Sequence, residues 1–260
     1  MVIPTVLLLL GTLGTWVTVA ITNETGHDVS QLLDDFIAFI EPIMRARGDN
    51  EIEIDGVSDS QPISGSLIEH RLMKIDHPKV QALLEDPTIP IQFSFSCEKG
   101  KFGDITTLKR VGRAVESAGA FLIQNVILKS HYSLETMYVK YPKCVISIAD
   151  VPFKGQITFK APHNNFKTNL VFYALDKYCY FTGGPTSFNG PLELKSVVQG
   201  TPYNKVFEQL IDYLIKRNPD DVKNKAKWKL QQALASAARK FKGCAFLNDR
   251  IRQHVMNKHR

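Results

Sequence analysis

The sequence has few cysteines, and the four that it has are far apart. Cys97, Cys144, Cys179 and Cys244 are separated by 47, 35 and 65 residues. This scarcity and spacing exclude a cysteine-dense miniprotein and any CxxC zinc pattern. In an oxidising compartment four cysteines allow three pairings, and we expect two structural disulfides among them.

Charged residues are absent from the first 20 positions, which contain no Lys, Arg, Asp or Glu. The apolar run Val6 to Leu10, with small residues at Thr18 and Ala20, predicts a signal peptide over 1–20. The segment also lacks an early Lys or Arg, so an N-terminal membrane anchor is the competing interpretation. No second run reaches the roughly 18 apolar residues that span a bilayer, so we expect a secreted mature chain without a transmembrane segment. A sequon predicts glycosylation of Asn23.

Catalytic and metal-binding signatures are also missing. The sequence contains no GxSxG, HExxH, phosphate-binding GxxxxGK[ST] or EF-hand pattern, and no two of its seven histidines are four residues apart. We therefore predict a protein that is not an enzyme and has no cofactor and no metal site. A secreted enzyme whose site is assembled from distant residues is the alternative. The chain also lacks a basic-aromatic groove pattern, so we expect no nucleic-acid partner.

Positive charge is concentrated toward the C-terminus. From Lys216 to Arg260, 13 Lys and Arg stand against three Asp, which gives this stretch a net charge of +10 in a chain of +6. Such a stretch either forms a solvated helix face with a basic tail over 244–260 or meets anionic lipid or glycan. For the second case, the residues expected to contact an anionic surface are Lys223, Lys225, Lys227, Trp228 and Lys229.

Helical periodicity occurs near both ends of the chain. Apolar residues recur at i, i+3, i+4 and i+7 and predict a helix over 28–47. A short helical turn is expected over 78–84. Two further helices are predicted at about 202–217 and 219–242, with Pro219 in the first turn of the second.

Between these helices the hydrophobic period changes to two. Apolar residues from Ile91 to Cys97 alternate with polar ones and predict a half-buried strand. Pro142, residues 162–165 and Gly183 to Pro185 are expected to form turns, and the polar residues 49–66 a loop. Further strands are predicted near 104–116, 119–139, 144–160, 167–181 and 186–198.

Long strands with short links and no helical pattern between them favour an antiparallel meander, and so an α+β fold. Segments 120–123 and 170–175 are apolar at consecutive positions. Either both faces of these strands are buried, or one face lines an apolar cavity.

The order of elements, together with Leu108-Lys109-Arg110-Val111-Gly112 before the predicted strand at 119–139, resembles the mite group 7 allergens. It is similar, more loosely, to the arthropod takeout and juvenile-hormone-binding proteins. Both groups belong to the tubular lipid-binding (TULIP) superfamily, which includes the bactericidal/permeability-increasing proteins. The resemblance covers roughly residues 28–241. This chain departs from the family in its C-terminal extension and in lacking the N-terminal disulfide of takeout proteins.

The resemblance implies one domain over 21–243, a super-roll in which a long curved antiparallel sheet wraps around a long C-terminal amphipathic helix. It also implies a secreted, non-catalytic protein that holds a small hydrophobic or lipid-like ligand in an apolar tunnel. The alternative is a secreted interaction protein that binds bacterial lipid or sulfated glycan through its basic C-terminal helices. The apolar residues that we expect to line the tunnel, unless they are ordinary core, are Leu33, Phe36, Ile37, Ile40, Met44, Leu122, Phe172, Phe207, Leu210, Ile211 and Leu214.

Overall fold

The structure is a computed structural model that describes residues 28–63, 70–86, 90–118, 125–175 and 178–240. The predicted signal peptide, Asn23, Leu122, Cys244 and the basic tail lie outside these residues, as do the side chains of Phe172 and Cys179. The helices are α1 (Ser30–Ala46), α2 (Pro78–Leu84), α3 (Asn204–Arg217) and α4 (Pro219–Lys240), with a 3-10 helix at Ile105–Thr107.

The strands belong to two antiparallel sheets, which confirms the α+β prediction. They are β1 (Ile52–Ile54), β2 (Val57–Ile63), β3 (Ile91–Cys97), β4 (Gly100–Gly103), β5 (Leu108–Ala118), β6 (Asn125–Leu134), β7 (Met137–Ile148), β8 (Val151–Ala161), β9 (Phe166–Leu175), β10 (Tyr178–Phe188) and β11 (Lys195–Gln199).

The first helix agrees with its sequence pattern to within two residues at each end. Leu33, Phe36 and Met44 form its buried side, as the i, i+3, i+4 spacing of apolar residues requires. The helix ends at Ala46, and Gly48 follows its C-cap residue Arg47 with a φ of 68°, in the left-handed region. The Gly48 N–H donates to the carbonyl oxygen of Arg45 at 3.1 Å, and glycine adopts this conformation without a Cβ clash.

The predicted loop over 49–66 is wrong, because β1 and β2 occupy most of it. β2 lies at the edge of its sheet, where it pairs with β3. Its side chains alternate between half-buried and exposed, and Pro62 lies near its end. An edge strand with one solvated face carries polar residues and tolerates proline. The composition of β2 therefore does not differ from that of a loop.

The seven-stranded sheet is built around β7. β3 and β4 pair with successive parts of β7 along one edge, and β8 pairs along the other. β2 and β1 extend the sheet beyond β3 and β4, and β11 extends it beyond β8. Cys97 and Cys144 are register partners on β3 and β7 and form a disulfide, one of the pairings that the sequence allowed.

The other sheet has the order β10-β9-β6-β5. Its hairpins β5–β6 and β9–β10 are consecutive in the chain, whereas the central β6–β9 pair joins strands on either side of β7 and β8. The predicted simple meander is therefore wrong in its connections. Along the chain, β1 to β4 belong to the seven-stranded sheet, β5 and β6 to the four-stranded one, β7 and β8 to the first again, β9 and β10 to the second, and β11 to the first.

Two predicted turns are β-bulges within continuous strands. Pro142 lies in β7, whose register with β8 shifts between Tyr141 and Cys144. Gly183 and Pro185 lie in β10, whose register shifts between Gly183 and Thr186. Proline and glycine interrupt ladder pairing in both contexts, so the sequence signal alone does not separate a bulge from a turn.

One hairpin turn has no glycine or proline to reveal it. Ala149 and Asp150 connect β7 to β8 with φ values of 52° and 61°. Two consecutive positive φ angles are typical of the type I′ turn, which usually carries Asn-Gly or Asp-Gly. The predicted strand at 144–160 therefore runs across a real turn.

The helices cover the sheets and close one hydrophobic core. α1 packs against β5, and α3 packs against β11. The long helix α4 contacts strands of both sheets, β10 in one and β1 in the other. Pro219 occupies the first position of α4, as predicted, and the buried apolar residues form a continuous cluster.

Candidate functional site

A largely apolar cavity lies between the seven-stranded sheet and the two C-terminal helices. The sheet contributes residues of β2, β3, β7 and β8, and the helices contribute one side of α3 and the first half of α4. Its lining residues are Val57, Asp59, Phe95, Met137, Tyr138, Val139, Tyr141, Phe159, Ala161, Leu194, Ile211, Leu214, Ile215, Asn218, Val222, Lys225, Ala226 and Lys229.

The spacing of these residues follows from the elements that carry them. Met137, Val139 and Tyr141 alternate along β7, so their side chains share the sheet face that the helices cover. On α3, Ile211, Leu214 and Ile215 have the i, i+3, i+4 spacing of one helix face. On α4, Val222, Ala226 and Lys229 lie at i, i+4 and i+7 and also share one face. The small side chains of Ala161 and Ala226 fill little of the space between helix and sheet.

The cavity is small. Its volume is about 100 Å³. An apolar protein cavity of about 150 Å³ binds benzene, whereas pockets for drug-sized ligands have about 300 Å³ or more. The enclosed part therefore accommodates a short apolar group, and a longer molecule would extend into the mouth.

An ion pair closes one side of the mouth. Lys225 Nζ lies 2.8 Å from Asp59 Oδ2 on β2 and 2.9 Å from Asp221 Oδ2 one helical turn earlier on α4. Burial opposes the ionisation of Asp59, but the hydrogen bond and charge of Lys225 outweigh it and hold the pKa of Asp59 below its usual value. Burial similarly opposes the charge of Lys225, yet its two carboxylate partners raise its pKa.

A second lysine at the mouth is bound by backbone oxygens instead. Lys229 Nζ donates to the carbonyl oxygen of Asp55 at 2.7 Å and to that of Gly56 at 3.0 Å. Burial lowers the pKa of Lys229, and the negative charge of Asp55 only partly opposes this effect.

The tyrosines of the cavity are held in their neutral form. Burial raises the pKa of Tyr141. Burial also raises the pKa of Tyr138 to about 12, with a contribution from the hydrogen bond that its hydroxyl donates to Glu51 Oε1 at 2.8 Å. Neither phenol is placed to act as a base at neutral pH.

Only some of the residues that were expected to line a ligand tunnel line the cavity. Ile211 and Leu214 line the cavity, whereas Leu33, Phe36, Met44, Phe207 and Leu210 are buried in the surrounding core. Ile37 and Ile40 of α1 are partly buried against that core. The positions of Leu122 and of the Phe172 side chain lie outside the described part of the protein.

The residues expected at an anionic surface are also divided. Lys225 and Lys229 face the cavity mouth, and Lys223 Nζ donates to the carbonyl oxygen of Gly190 at 2.8 Å. Lys227 is half-buried, and Trp228 is 69% exposed.

Sequence reasoning missed the sheet wall of the cavity. Met137 and Val139 fell in the predicted strand 119–139, which merges β6 with the start of β7. Phe159 fell in the predicted strand 144–160, which runs across the turn between β7 and β8. The signal that was available is the two-residue period from Met137 to Tyr141.

A second cleft lies beside the disulfide. It is open and has a volume of about 740 Å³. Its lining includes Glu98, Lys143, Lys154, Gln156 and Gln199 around the exposed Val145. Glu98 and Lys143 form an exposed ion pair at 3.5 Å, and Gln156 Nε2 donates to Gln199 Oε1 at 2.5 Å. In each of these two pairs the polar side chains bond to each other.

Neither opening contains a recognisable catalytic arrangement among the described residues. Within the described ranges, no group of three or more His, Cys, Asp or Glu is close enough to hold a metal ion. No helix in this part of the chain is both long and apolar enough to cross a bilayer. The apolar cavity with its lysine-bearing mouth is therefore the candidate site.

The chain matches no protein-family model, and it has no significant sequence match among curated proteins.

Proposed function

We propose that this protein is a secreted, non-catalytic binding protein for a small hydrophobic or lipid-like ligand. The observation that carries this proposal is the apolar cavity between α3, α4 and the seven-stranded sheet. A concave and mostly apolar space with a few polar groups is the usual form of a site for such ligands. The Cys97–Cys144 disulfide supports secretion, because structural disulfides persist in oxidising compartments.

We further propose that the fold is a variant of the TULIP super-roll. In support, α4, the long C-terminal helix, packs against strands of both antiparallel sheets. The order of helix, strands and helices is also that of the resemblance.

The size of the cavity limits the apolar part of the ligand. By comparison with the cavity that binds benzene, about 100 Å³ accommodates roughly four or five carbons. Burial of five methylenes contributes about 4 kcal/mol, which corresponds to a dissociation constant of roughly 1 mM from this term alone. Tighter binding requires contacts at the mouth.

A series of linear alcohols from butanol to decanol tests the proposal, with binding measured by displacement of an environment-sensitive fluorescent probe. We expect affinity to rise about fourfold per methylene at first and to level off once the enclosed space is filled. Ala226→Leu places a larger side chain in the cavity and is expected to weaken every alcohol. A protein that binds none of the alcohols, or a variant with an unchanged series, would contradict the proposal.

Binding to anionic surfaces is the second candidate function, and the exposure of Trp228 is the observation that favours it. An exposed aromatic beside lysines suits a membrane interface. We expect Lys227→Gln combined with Trp228→Ser to weaken salt-dependent binding to anionic vesicles or heparin. Equal binding by this variant and the wild type would exclude this surface as the site of contact.

A further inference from the structure

The mouth of the cavity contains two lysines in different electrostatic states. Lys225 is neutralised by Asp59 and Asp221, at 2.8 and 2.9 Å. Among the described residues, no carboxylate lies within ion-pair distance of Lys229, whose ammonium is bound by the carbonyl oxygens of Asp55 and Gly56. The two lysines line the same opening, so the difference between them bears on what enters it.

The carboxylate of Asp55, whose charge acts on Lys229, already has another partner. The Asp55 carboxylate accepts a hydrogen bond from Gln232 Nε2 at 2.8 Å and acts on Lys229 only through its charge. A lysine ammonium has three N–H donors, and the two carbonyl oxygens account for two of them. The third N–H of the charged Lys229 ammonium remains as a donor at the edge of an apolar cavity.

A half-buried cation without an anionic partner is costly, because desolvation disfavours the charged form. Burial is the main cause of the lowered pKa of Lys229. An anion that arrived with a ligand would compensate this charge and would form a charge-assisted hydrogen bond, which is stronger than a neutral one.

We propose that the cavity selects single-tailed carboxylic acids, with the tail between α3, α4 and the sheet and the carboxylate on Lys229. This inference rests on the proposed function and adds the chemical class of the ligand to it. The apolar wall at Ile211, Leu214 and Ala226 receives the alkyl group, and the remaining N–H of Lys229 donates to one carboxylate oxygen.

The test compares three probes that share one tail: octanoate, 1-octanol and octylammonium, each titrated at neutral pH and low salt. We expect octanoate to bind about tenfold more tightly than 1-octanol, the usual order of magnitude for a charge-assisted hydrogen bond. Octylammonium is expected to bind most weakly, because its charge is placed against that of Lys229.

Three variants sharpen this comparison. Lys229→Met is expected to remove the preference for octanoate over 1-octanol, whereas Lys229→Arg keeps the charge and is expected to retain the preference. Lys216→Met is the matched control, because Lys216 is an exposed lysine on α3, next to the cavity-lining Ile215, but is not part of the lining, and we expect it to behave as wild type.

The outcomes separate the two proposals. If the wild type binds none of the three probes, the proposed function fails. If it binds 1-octanol or octylammonium at least as tightly as octanoate, the carboxylate inference is overturned and the proposed function stands. This head-group series needs no variant, so poor folding of Lys229→Met does not leave the inference untested. A folded Lys229→Met protein that retains the preference also overturns it.

Discussion

Two of the interfaces between helices and sheets differ in how completely they are filled. Where α1 meets β5 of the four-stranded sheet, Leu33 and Phe36 are fully buried. In the same sheet, Tyr132 and Phe166 are buried and stacked with their ring centroids 6.0 Å apart. Where α3 and α4 meet the seven-stranded sheet, a cavity remains.

Each interface also has an ion pair between helix and sheet. Arg110 on β5 donates two hydrogen bonds to the Asp34 carboxylate on α1, at 2.8 and 2.5 Å. The Asp59–Lys225 pair is a single contact at 2.8 Å beside the open mouth. The comparison teaches that the same helix-on-sheet arrangement becomes core or candidate site according to which side chains meet across it. Ala161 and Ala226 line the cavity, whereas the small side chain of Ala114 is completely buried in the filled interface.

The largest effect is expected from a matched pair of leucine truncations. Leu33→Ala in the filled interface should lower the free energy of unfolding by about 4 kcal/mol, and Leu214→Ala by about 2 kcal/mol. Leu214 borders a void and has fewer partners to lose. Urea unfolding of both variants measures the difference, and equal losses would show that the two interfaces are packed alike.

A matched pair of enlargements should have effects of opposite sign. Ala114 on β5 is completely buried, so Ala114→Leu overpacks the filled interface and should destabilise it by about 2 kcal/mol. Ala226→Leu fills existing space and should raise the free energy of unfolding by about 1 kcal/mol. Destabilisation by Ala226→Leu as large as that by Ala114→Leu would contradict the presence of usable space at α4.

The ion pair at the mouth predicts a pH dependence. Burial opposes ionisation of Asp59, but Lys225 outweighs it, so the pKa of Asp59 is lowered. Its contribution to stability is therefore present above the ordinary aspartate pKa of about 3.9 and is lost as pH falls through the lowered value. Asp59→Asn should cost up to about 1 kcal/mol at neutral pH, and its difference from wild type should disappear in strong acid.

Glu53→Gln is the control for this prediction. The Glu53–Lys99 pair has a similar distance of 2.8 Å, but its side chains are about 70% exposed, so its removal should change stability little at any pH. Urea unfolding at several pH values measures both variants. A pH-independent loss in Asp59→Asn would mean that the carboxylate acts by packing and not by charge.

The smallest effect is expected at Trp228, which lies on α4 outside the cavity lining and is 69% exposed. Trp228→Ser should change the free energy of unfolding by less than about 0.5 kcal/mol and should leave the binding of alcohols unchanged. A loss above about 1 kcal/mol in urea unfolding would show that Trp228 belongs to a packed interface.

The helices could be predicted from the sequence because each one carries its own periodic signal. The pattern from Leu33 to Met44 lies within one segment, and Gly48 and Pro219 mark a helix end and a helix start. The strand boundaries were harder, since the turn at Ala149 and Asp150 has neither glycine nor proline. At Pro142 and Gly183 the sequence predicted turns where the strands continue through a bulge, because proline and glycine are typical of both features.

The cavity could be predicted only in part. Ile211 and Leu214 were expected to face a ligand, but the void depends on which small residues meet across the interface. Ala161 and Ala226 are 65 positions apart, and nothing local in the sequence indicates that they line the same space. The contact between Lys229 and the backbone of Asp55 and Gly56 is similarly a product of tertiary packing.

The most direct test of the central claim is a methyl NMR titration of the protein with octanoate, with the leucine and isoleucine methyl groups assigned. We expect the resonances of Ile211 and Leu214 to shift in a saturable manner, while those of Leu33 in the filled interface stay in place. The absence of saturable shifts at Ile211 and Leu214, or equal shifts at Leu33, would contradict the assignment of the cavity as the ligand site.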